Sequence, residues 1–167
     1  MKILAISDVH NNLAVSIELI EKYKNHIDLF IFLGDGADYF DQAAELYSVK
    51  HITIKGNCDR GNQPDEAKFE VENKKIYMCH GQFFSIGTGK NRYWNYITEN
   101  EYDIGFFGHS HIAYCEEFQG RYLINPGSAA KSRLGENSFC IVTIENDKIE
   151  TEFFSSDTYK KITPTNY

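Results

Sequence analysis

Seven side chains in this sequence have the chemistry of metal ligands, and they fall in five short motifs. They are Asp8, His10, Asp35, Asn57, His80, His109 and His111. Carboxylate and amide oxygens mixed with imidazole nitrogens suit Mn, Fe or Zn rather than Ca, and the set lacks the thiolates of a structural zinc site. Seven ligands are too many for one ion, but they match two ions about 3.5–4 Å apart that share a bridging carboxylate. Such a pair can activate water at neutral pH and bind the oxygens of a phosphoryl group.

The ligand motifs share one position relative to the predicted strands. Each follows a short apolar run, which is typical of a buried strand bounded by turn residues. The motifs are Asp8-Val9-His10, Gly34-Asp35, Gly56-Asn57-Cys58-Asp59, His80-Gly81 and Gly108-His109-Ser110-His111, with Asn125-Pro126-Gly127-Ser128 further along. Taken singly, each motif could be an ordinary helix cap or turn. Because ligands of open α/β sheets gather outside the carboxyl ends of the strands, the combination favours one shared site.

The first half of the chain predicts a parallel sheet beneath these motifs. Strands are expected over 2–7, 28–33 and 50–55, with a helix between each pair. The first helix carries Leu13, Ile17 and Ile20 on one face after an N-cap at Asn11 or Asn12, and the second runs from about 39 to 47. This alternation indicates parallel strands joined by right-handed crossovers.

The second half of the chain is richer in strands. A hairpin is expected over 67–71 and 75–79, a helix over 90–100, and further strands over 103–107, 112–118, 121–124, 139–144 and 148–154. We therefore predict the α/β fold class, α+β by content, with two packed sheets and helices outside them. The last dozen residues are polar and are expected to fray.

Composition narrows the functional classes. A chain of 167 residues is most simply one domain, and its net charge of −7 argues against a broad electrostatic surface for nucleic acid. No apolar stretch approaches the about 20 residues that cross a bilayer, and the sequence begins without a secretory leader. The four cysteines have no Cys-x-x-Cys spacing, so we expect reduced thiols and a cytoplasmic location.

The order of the motifs resembles that of the calcineurin-like metallophosphoesterase superfamily. Gly-Asn-Cys-Asp, the compact length and Asn-Pro-Gly-Ser are similar to its small YfcE-type phosphodiesterase branch. The resemblance covers residues 1–155 and implies a single metallophosphoesterase domain, with 156–167 as a C-terminal tail. It also implies a four-layer αββα sandwich of two mixed β-sheets flanked by helices, with the metal site between the carboxyl ends of the strands.

The resemblance implies roles for individual residues. One metal would be held by Asp8, His10 and His111, the other by Asn57, His80 and His109, and Asp35 would bridge both. The residues expected to act in catalysis are Asp35, Asn57, Cys58, Asp59 and His109. The implied cofactors are two divalent ions, with Mn²⁺ favoured and Ni²⁺, Fe²⁺ or Zn²⁺ as alternatives.

Two neighbouring residues leave alternatives open. Much of the superfamily has a histidine in place of Cys58, where it is thought to protonate the leaving group, so this chain is expected to hydrolyse monoesters with poor leaving groups slowly. Cys58 could equally be a small buried hydrophobe. Asp59 could orient a metal-binding histidine or close a turn. Arg60, Lys90 and Arg92 could reach a substrate phosphate, although Lys90 and Arg92 are more typical of a solvated helix face.

The leading hypothesis is a metal-dependent phosphodiesterase that hydrolyses a small organic phosphate ester with hydroxide activated by a dinuclear metal centre. The alternatives are a non-catalytic protein-interaction scaffold of the same fold, as in a retromer subunit, or a phosphomonoesterase. Completeness of the ligand set favours the enzyme. The expected partner is a small phosphodiester, without a membrane or extended nucleic acid, and a homodimer is left open.

Overall fold

The computed structural model describes residues 1–165. Over these residues the chain forms eleven strands, three α-helices and two short 3-10 helical turns. In chain order the elements are β1 (Lys2–Ile6), α1 (Leu13–Tyr23), β2 (Leu29–Phe32), α2 (Ala37–Leu46), β3 (His51–Thr53), β4 (Glu66–Val71), β5 (Lys74–Cys79), the 3-10 turns (Gln82–Phe84 and Ile86–Thr88), α3 (Asn91–Glu99), β6 (Ile104–Phe106), β7 (Ala113–Phe118), β8 (Arg121–Pro126), β9 (Ser138–Glu145), β10 (Lys148–Ser155) and β11 (Lys161–Ile162).

The strands form two mixed sheets. The first has the order β11-β10-β9-β1-β2-β3, with β1, β2 and β3 parallel and β9 antiparallel to β1. The second has the order β4-β5-β6-β8-β7, with β5, β6 and β8 parallel and the two edge strands antiparallel to their neighbours. The predicted parallel start and the predicted hairpin are both confirmed.

Alternate side chains of the central strands fill different cores. Ile3 packs into the core between the sheets, while its neighbour Leu4 packs against α1 and α2 on the outer face. In the second sheet Met78 faces the central core, and Tyr77 packs outwards with Tyr93 of α3. Because successive side chains of a strand point to opposite faces, strands with both faces covered are apolar throughout. The result is four layers in the order helix, sheet, sheet, helix, as predicted.

Local sequence signals set several boundaries correctly. Asn12 is the N-cap of α1, since its side-chain oxygen accepts a hydrogen bond of 3.3 Å from the Val15 amide. The hairpin turn between β4 and β5 places Glu72 and Asn73 at positive φ, as a two-residue turn of the favoured type requires. Helix α2, however, begins at Ala37 rather than near 39, because a carboxylate from a distant loop caps its amino end.

The C-terminal tail is ordered where it was expected to fray. Lys161–Ile162 pairs antiparallel with β10, and the buried Ser156 hydroxyl donates a 2.7 Å hydrogen bond to the Ala129 carbonyl. The Thr165 amide donates to the Ala113 carbonyl at 2.9 Å, so the tail reaches the second sheet as well. The fraying prediction is therefore wrong for residues 156–165, and 166–167 lie outside the described residues. Within the described part of the chain, no helix has the length and apolar character to cross a bilayer.

Candidate metal centre

Loops that follow five strands meet at one end of the sandwich. They follow β1, β2, β3, β5 and β6. Backbone hydrogen bonds join the loops directly: the Asp8 amide donates to the Gly34 carbonyl at 2.9 Å, and the Gly108 amide donates to the His80 carbonyl at 3.0 Å. The His109 amide also donates to Asp8 Oδ2 at 3.1 Å, so loops of both sheets meet at these strand ends.

Four ligand residues form a compact cluster, which we call the first ligand group. Its members are Asp8, His10, Asp35 and His111, and one ligand atom from each lies within 4.8 Å of the others. The Nε2 atom of His111 is 3.2 Å from Asp8 Oδ1 and 3.4 Å from His10 Nε2. The Asp8 side chain is fully buried, and Asp35 is only 2% exposed.

The other three predicted ligands lie beside this cluster. We call Asn57, His80 and His109 the second ligand group. The Nε2 atom of His80 is 3.5 Å from Asp35 Oδ1, and the His80 and His109 rings are 5.1 Å apart between centroids. Asn57 is exposed and lines the same cleft as Asp35 and His109. Four predicted ligands thus form one cluster, and the other three are its neighbours.

Two buried atoms at the floor of this site lack hydrogen-bond partners. Among residues 1–165, Asp8 Oδ1 and His80 Nε2 have no partner with acceptable hydrogen-bond geometry, although they lie 3.9 Å apart. An unsatisfied buried polar group costs about 1–3 kcal/mol, and more when it is charged. A divalent cation would satisfy a carboxylate oxygen and an imidazole nitrogen at once. The donor set therefore fits metal binding.

Hydrogen bonds to backbone carbonyls orient two of the imidazole rings. His80 Nδ1 donates a hydrogen bond of 2.6 Å to the Leu33 carbonyl, and His111 Nδ1 donates one of 2.7 Å to the Lys131 carbonyl. Since a carbonyl can only accept, each Nδ1 carries the hydrogen and each Nε2 is the atom directed at the carboxylates. Backbone carbonyls commonly fix metal-binding histidines in this way.

The pKa values at the site reflect the close approach of its imidazoles and carboxylates. Burial alone would raise the pKa of Asp35, but the nearby His80 ring, with the Cys58 amide, holds it well below its usual range. Burial likewise opposes protonation of His80, yet Asp35 and Asp8 raise its pKa. The close contact of its Nε2 atom with the Asp8 carboxylate raises the pKa of His111 despite burial. The carboxylates thus favour the charged forms of both imidazoles, and a bound cation would compete with protonation of their Nε2 atoms.

His109 differs from the other two site histidines in its ionisation. Burial lowers its pKa, and the positive charges of His80 and Arg133 act in the same direction. His109 is therefore neutral at neutral pH, which is the state in which an imidazole can bind a metal ion.

Five of the ligand residues have left-handed backbone conformations. These are Asp8 (φ 55°), His10 (φ 50°), Asp35 (φ 60°), His109 (φ 65°) and His111 (φ 61°). Asp, Asn and His tolerate this region better than other residues, but the conformation is still uncommon outside glycine. Such conformations persist only where the surroundings enforce them, and they concentrate at functional sites. The left-handed backbone at these five residues is therefore consistent with a functional site.

The Asn-Pro-Gly-Ser motif supports the ligand loops without being part of the ligand set. The buried Asn125 amide group donates to the Gly108 carbonyl at 2.8 Å and to the Ser110 hydroxyl at 3.0 Å. The Ser128 hydroxyl donates to the Asp8 carbonyl at 2.8 Å. This motif therefore holds the loops after β1 and β6 in place, which its sequence alone did not indicate.

Asp59 joins the loops that follow β2 and β3. Its carboxylate accepts hydrogen bonds from four backbone amides, those of Asp35, Gly36, Ala37 and Gly56, at 2.7 to 3.1 Å. All of its hydrogen bonds within residues 1–165 go to backbone groups, so the turn-closing role fits and orientation of a histidine does not. The loops also pack closely, because a Cβ atom on Gly56 would lie 2.2 Å from Asp35 Oδ1. Asp59 therefore holds the loop of Asp35 against the loop of Asn57.

Cys58 is exposed at the edge of the cleft rather than buried. Its amide donates a 2.8 Å hydrogen bond to Asp35 Oδ1. The side-chain interaction with Asp35, followed by burial, raises the pKa of the thiol to about 11. The thiol is therefore protonated at neutral pH and is a weaker acid than an imidazolium. The interpretation of Cys58 as a small buried hydrophobe is wrong.

Residues that the sequence did not single out form the remaining wall of the cleft. The cleft has a volume of about 320 Å³, and Lys131, Ser132 and Arg133 line it together with the ligands. Of the cations considered from sequence, neither Lys90 nor Arg92 lines it: the Lys90 ammonium lies 4.4 Å from the Tyr114 ring centroid, and Arg92 is exposed on α3. Lys131 and Arg133 come three and five residues after Ser128 of Asn-Pro-Gly-Ser, a proximity that was available in the sequence.

Comparison with known proteins agrees with this geometry. Residues 1–147 match the family model of the calcineurin-like phosphoesterase superfamily domain. The chain belongs to that superfamily. Among curated relatives, the probable metallophosphoesterase YsnB of Bacillus subtilis is 33% identical over 92% of this chain and 90% of its own. Phosphodiesterase YfcE of Escherichia coli K12 is 23% identical over 88% of this chain and 89% of its own.

A solved structure extends the comparison to the fold. Vps29 of Entamoeba histolytica, crystallised with Zn²⁺, superposes with a TM-score of 0.80 at 21% identity and covers 97% of this chain and 96% of that chain. At that identity the likeness concerns architecture alone. The metallophosphoesterase fold is therefore shared between proteins named as phosphoesterases and a protein named for vacuolar sorting.

Proposed function

We propose that this protein is a metal-dependent phosphodiesterase that hydrolyses a small organic phosphate ester with hydroxide activated by two bound divalent ions. The observation that supports the proposal is that five candidate ligands line one cleft, while the other two, Asp8 and His80, lie buried next to them and each carry an atom without a hydrogen-bond partner. A structural role alone would not favour leaving such atoms unsatisfied.

The candidate site residues would have different roles in this reaction. The first ligand group would hold one ion and the second group the other, and Asp35 would contact both, because it clusters with the first group and its Oδ1 atom is 3.5 Å from His80 Nε2. Asn57 and His109 line the open side of the cleft, where a phosphoryl group would enter. Asp59 acts as a positioning residue, since it holds the Asp35 and Asn57 loops together through backbone amides.

The ligand chemistry supports Mn²⁺ as the favoured ion, with Ni²⁺, Fe²⁺ or Zn²⁺ as alternatives. Imidazole-rich sites with some oxygen ligands bind later transition metals, whereas Mg²⁺ prefers oxygen ligands in strict octahedra. A cytoplasmic location belongs to the same proposal, because all four cysteines are free and thiols persist best in a reducing compartment.

The environment of Cys58 supports diesters with good leaving groups as substrates. A general acid contributes about 10²–10⁴-fold where the leaving group is basic. The Cys58 thiol, with its pKa raised to about 11, is a poor replacement for an imidazolium. Activated aryl diesters should therefore react faster than alkyl monoesters.

The Vps29 neighbour favours one other candidate, a non-catalytic scaffold of the same fold. A scaffold does not need a complete set of ligands at the cleft. All seven predicted ligands are present here, and this completeness is the reason for preferring the enzyme.

The test strips the protein with a chelator and reloads it with Mn²⁺. Hydrolysis of bis(p-nitrophenyl) phosphate is then compared with that of glycerol phosphate, for wild type, His109→Ala and the control His26→Ala. His26 is exposed and outside the cleft. We expect metal-dependent cleavage of the diester, loss of about 10²-fold or more in His109→Ala and no change in His26→Ala. Absence of hydrolysis by the Mn²⁺-loaded wild type would favour the scaffold.

A further inference from the structure

Two cations line the cleft on the wall that contributes no ligand of either group. Lys131 and Arg133 share the cleft with His10, Asp35 and other ligand residues, and both are exposed to solvent. Within residues 1–165 neither side chain forms an ion pair with a carboxylate. The protein carries a net charge of −7. Two cations without an ion-pair partner therefore make this wall of the cleft locally positive on a negatively charged protein.

The segment that carries these cations is fixed to a ligand residue. The His111 ring donates a hydrogen bond to the Lys131 carbonyl at 2.7 Å, and the Arg133 amide donates to the His111 carbonyl at 3.2 Å. The Lys131 amide also donates to the Ser128 hydroxyl at 2.7 Å. The backbone of both cations is therefore positioned relative to the ligand groups before any substrate binds, unlike that of a surface lysine on a free loop.

The cleft offers room for more than the group undergoing reaction. Its volume of about 320 Å³ is at the lower end of the range for small-molecule pockets, about 300–1,000 Å³. The scissile phosphoryl group would occupy the part bounded by the seven ligands. A guanidinium binds phosphate oxygens with two parallel hydrogen bonds, and an ammonium adds a compact positive charge.

We propose that Lys131 and Arg133 bind a second phosphate group of the substrate, so that the preferred substrates are phosphodiesters that carry a further phosphate beside the scissile one. This inference rests on the proposed function and narrows its substrate class. Neither residue takes part in the chemical step. Both increase the affinity for one kind of diester.

The experiment uses two substrates that differ by a single group. They are the p-nitrophenyl ester of thymidine 5′-phosphate with and without a 3′-phosphate, assayed on Mn²⁺-loaded protein. We expect wild type to have a higher kcat/KM for the 3′-phosphorylated substrate by about 10-fold or more. Arg133→Gln and Lys131→Gln should each lower kcat/KM for that substrate by about 10–100-fold, through KM, and change the other substrate by less than about 2-fold. Arg92→Gln is the matched control, since Arg92 is exposed on α3 outside the cleft lining.

A binding measurement separates this inference from the proposed function. Calorimetry compares thymidine 3′,5′-bisphosphate with thymidine 5′-phosphate on Mn²⁺-loaded wild type and Arg133→Gln. Preference for the bisphosphate in wild type, and its loss in the variant, supports the second phosphate site even if neither ester is hydrolysed, in which case the phosphodiesterase proposal alone fails. Equal losses on both substrates in Arg133→Gln would assign Arg133 to the reacting phosphoryl group and overturn the inference. The absence of any wild-type preference would overturn it as well.

Discussion

Members of the two ligand groups follow strands at different positions in the sheets. Asp8 of the first group follows β1, a central strand held by β9 on one side and β2 on the other. Asn57 of the second group follows the three-residue edge strand β3. Asp8 is fully buried, and so is His80 of the second group, whereas Asn57 alone among the seven candidate ligands is exposed. We therefore infer that the Asn57 loop is the part of the site that relies most on added hydrogen bonds.

This difference indicates that the two ligand groups of one site can differ in how firmly their side chains are held. One ligand atom from each of the four residues of the first group lies within 4.8 Å of the others. The Asn57 loop is held mainly through Asp59, whose carboxylate accepts the amides of Asp35 and Gly56. We therefore expect the first group to bind an ion more tightly than the second, and the following predictions test that order.

Asp35→Asn should have the largest effect because Asp35 serves both groups. We expect turnover of an aryl diester to fall by about 10²-fold or more, with a change in the free energy of unfolding of only about 1 kcal/mol. Steady-state kinetics and chemical denaturation on the same preparation measure both quantities. Asp65→Asn, an exposed aspartate outside the cleft, is the control. Near-native turnover with metal still bound would remove Asp35 from its bridging role.

Asn57→Ala should show whether the two ligand groups bind their ions independently. Wild type is expected to bind two Mn²⁺ ions per chain in calorimetry, and the variant is expected to keep only the tighter one, because the first group is untouched. Turnover should fall by about 10²-fold. Asn25→Ala, at an exposed position outside the cleft lining, should bind like wild type. Loss of both ions in Asn57→Ala would mean that the two groups do not bind independently.

Asp59→Ala should loosen the second group and lower stability. The variant loses four hydrogen bonds from amides to a charged acceptor, so we expect the free energy of unfolding to fall by about 2–4 kcal/mol. Asp28→Ala is a matched comparison because Asp28 accepts a single amide, that of Lys2, and should cost about 1 kcal/mol. Denaturant titration measures both. Equal losses in the two variants would show that the Asp59 contacts add little.

The smallest expected effect is on the alkylation rate of Cys58. This rate depends on the negative charge of the neighbouring Asp35. The thiolate is the reactive form, so a pKa raised to about 11 from the ordinary 9.0 lowers the thiolate fraction at pH 8. We expect metal-free protein to react with iodoacetamide about 10–100-fold more slowly than free cysteine at this exposed site. Cys58→Ser identifies the modified residue. A rate equal to that of free cysteine would contradict the described contact with Asp35.

Short-range signals in the sequence predicted the layered fold and placed the candidate ligands at the ends of its strands. Asp8 and His80 directly follow apolar strands, and the apolar runs themselves predicted strands covered on both faces. The supporting contacts could not be predicted in the same way. Asp59 caps α2 from more than twenty residues away, and Ser128 contacts Asp8 across most of the chain. Such contacts depend on the finished packing, so local residue patterns carry no signal for them.

The path of the C-terminal tail has a consequence for shortened forms of the protein. Lys161–Ile162 covers the outer side of the eight-residue strand β10, and the tail continues to the carbonyl of Ala113 at the edge of the second sheet. A chain ended at residue 155, the boundary that the sequence suggested, would expose the backbone groups of β10. Exposed strand edges pair with other chains and promote aggregation. The last residues thus protect solubility, and a shortened protein should be recovered in lower yield for that reason.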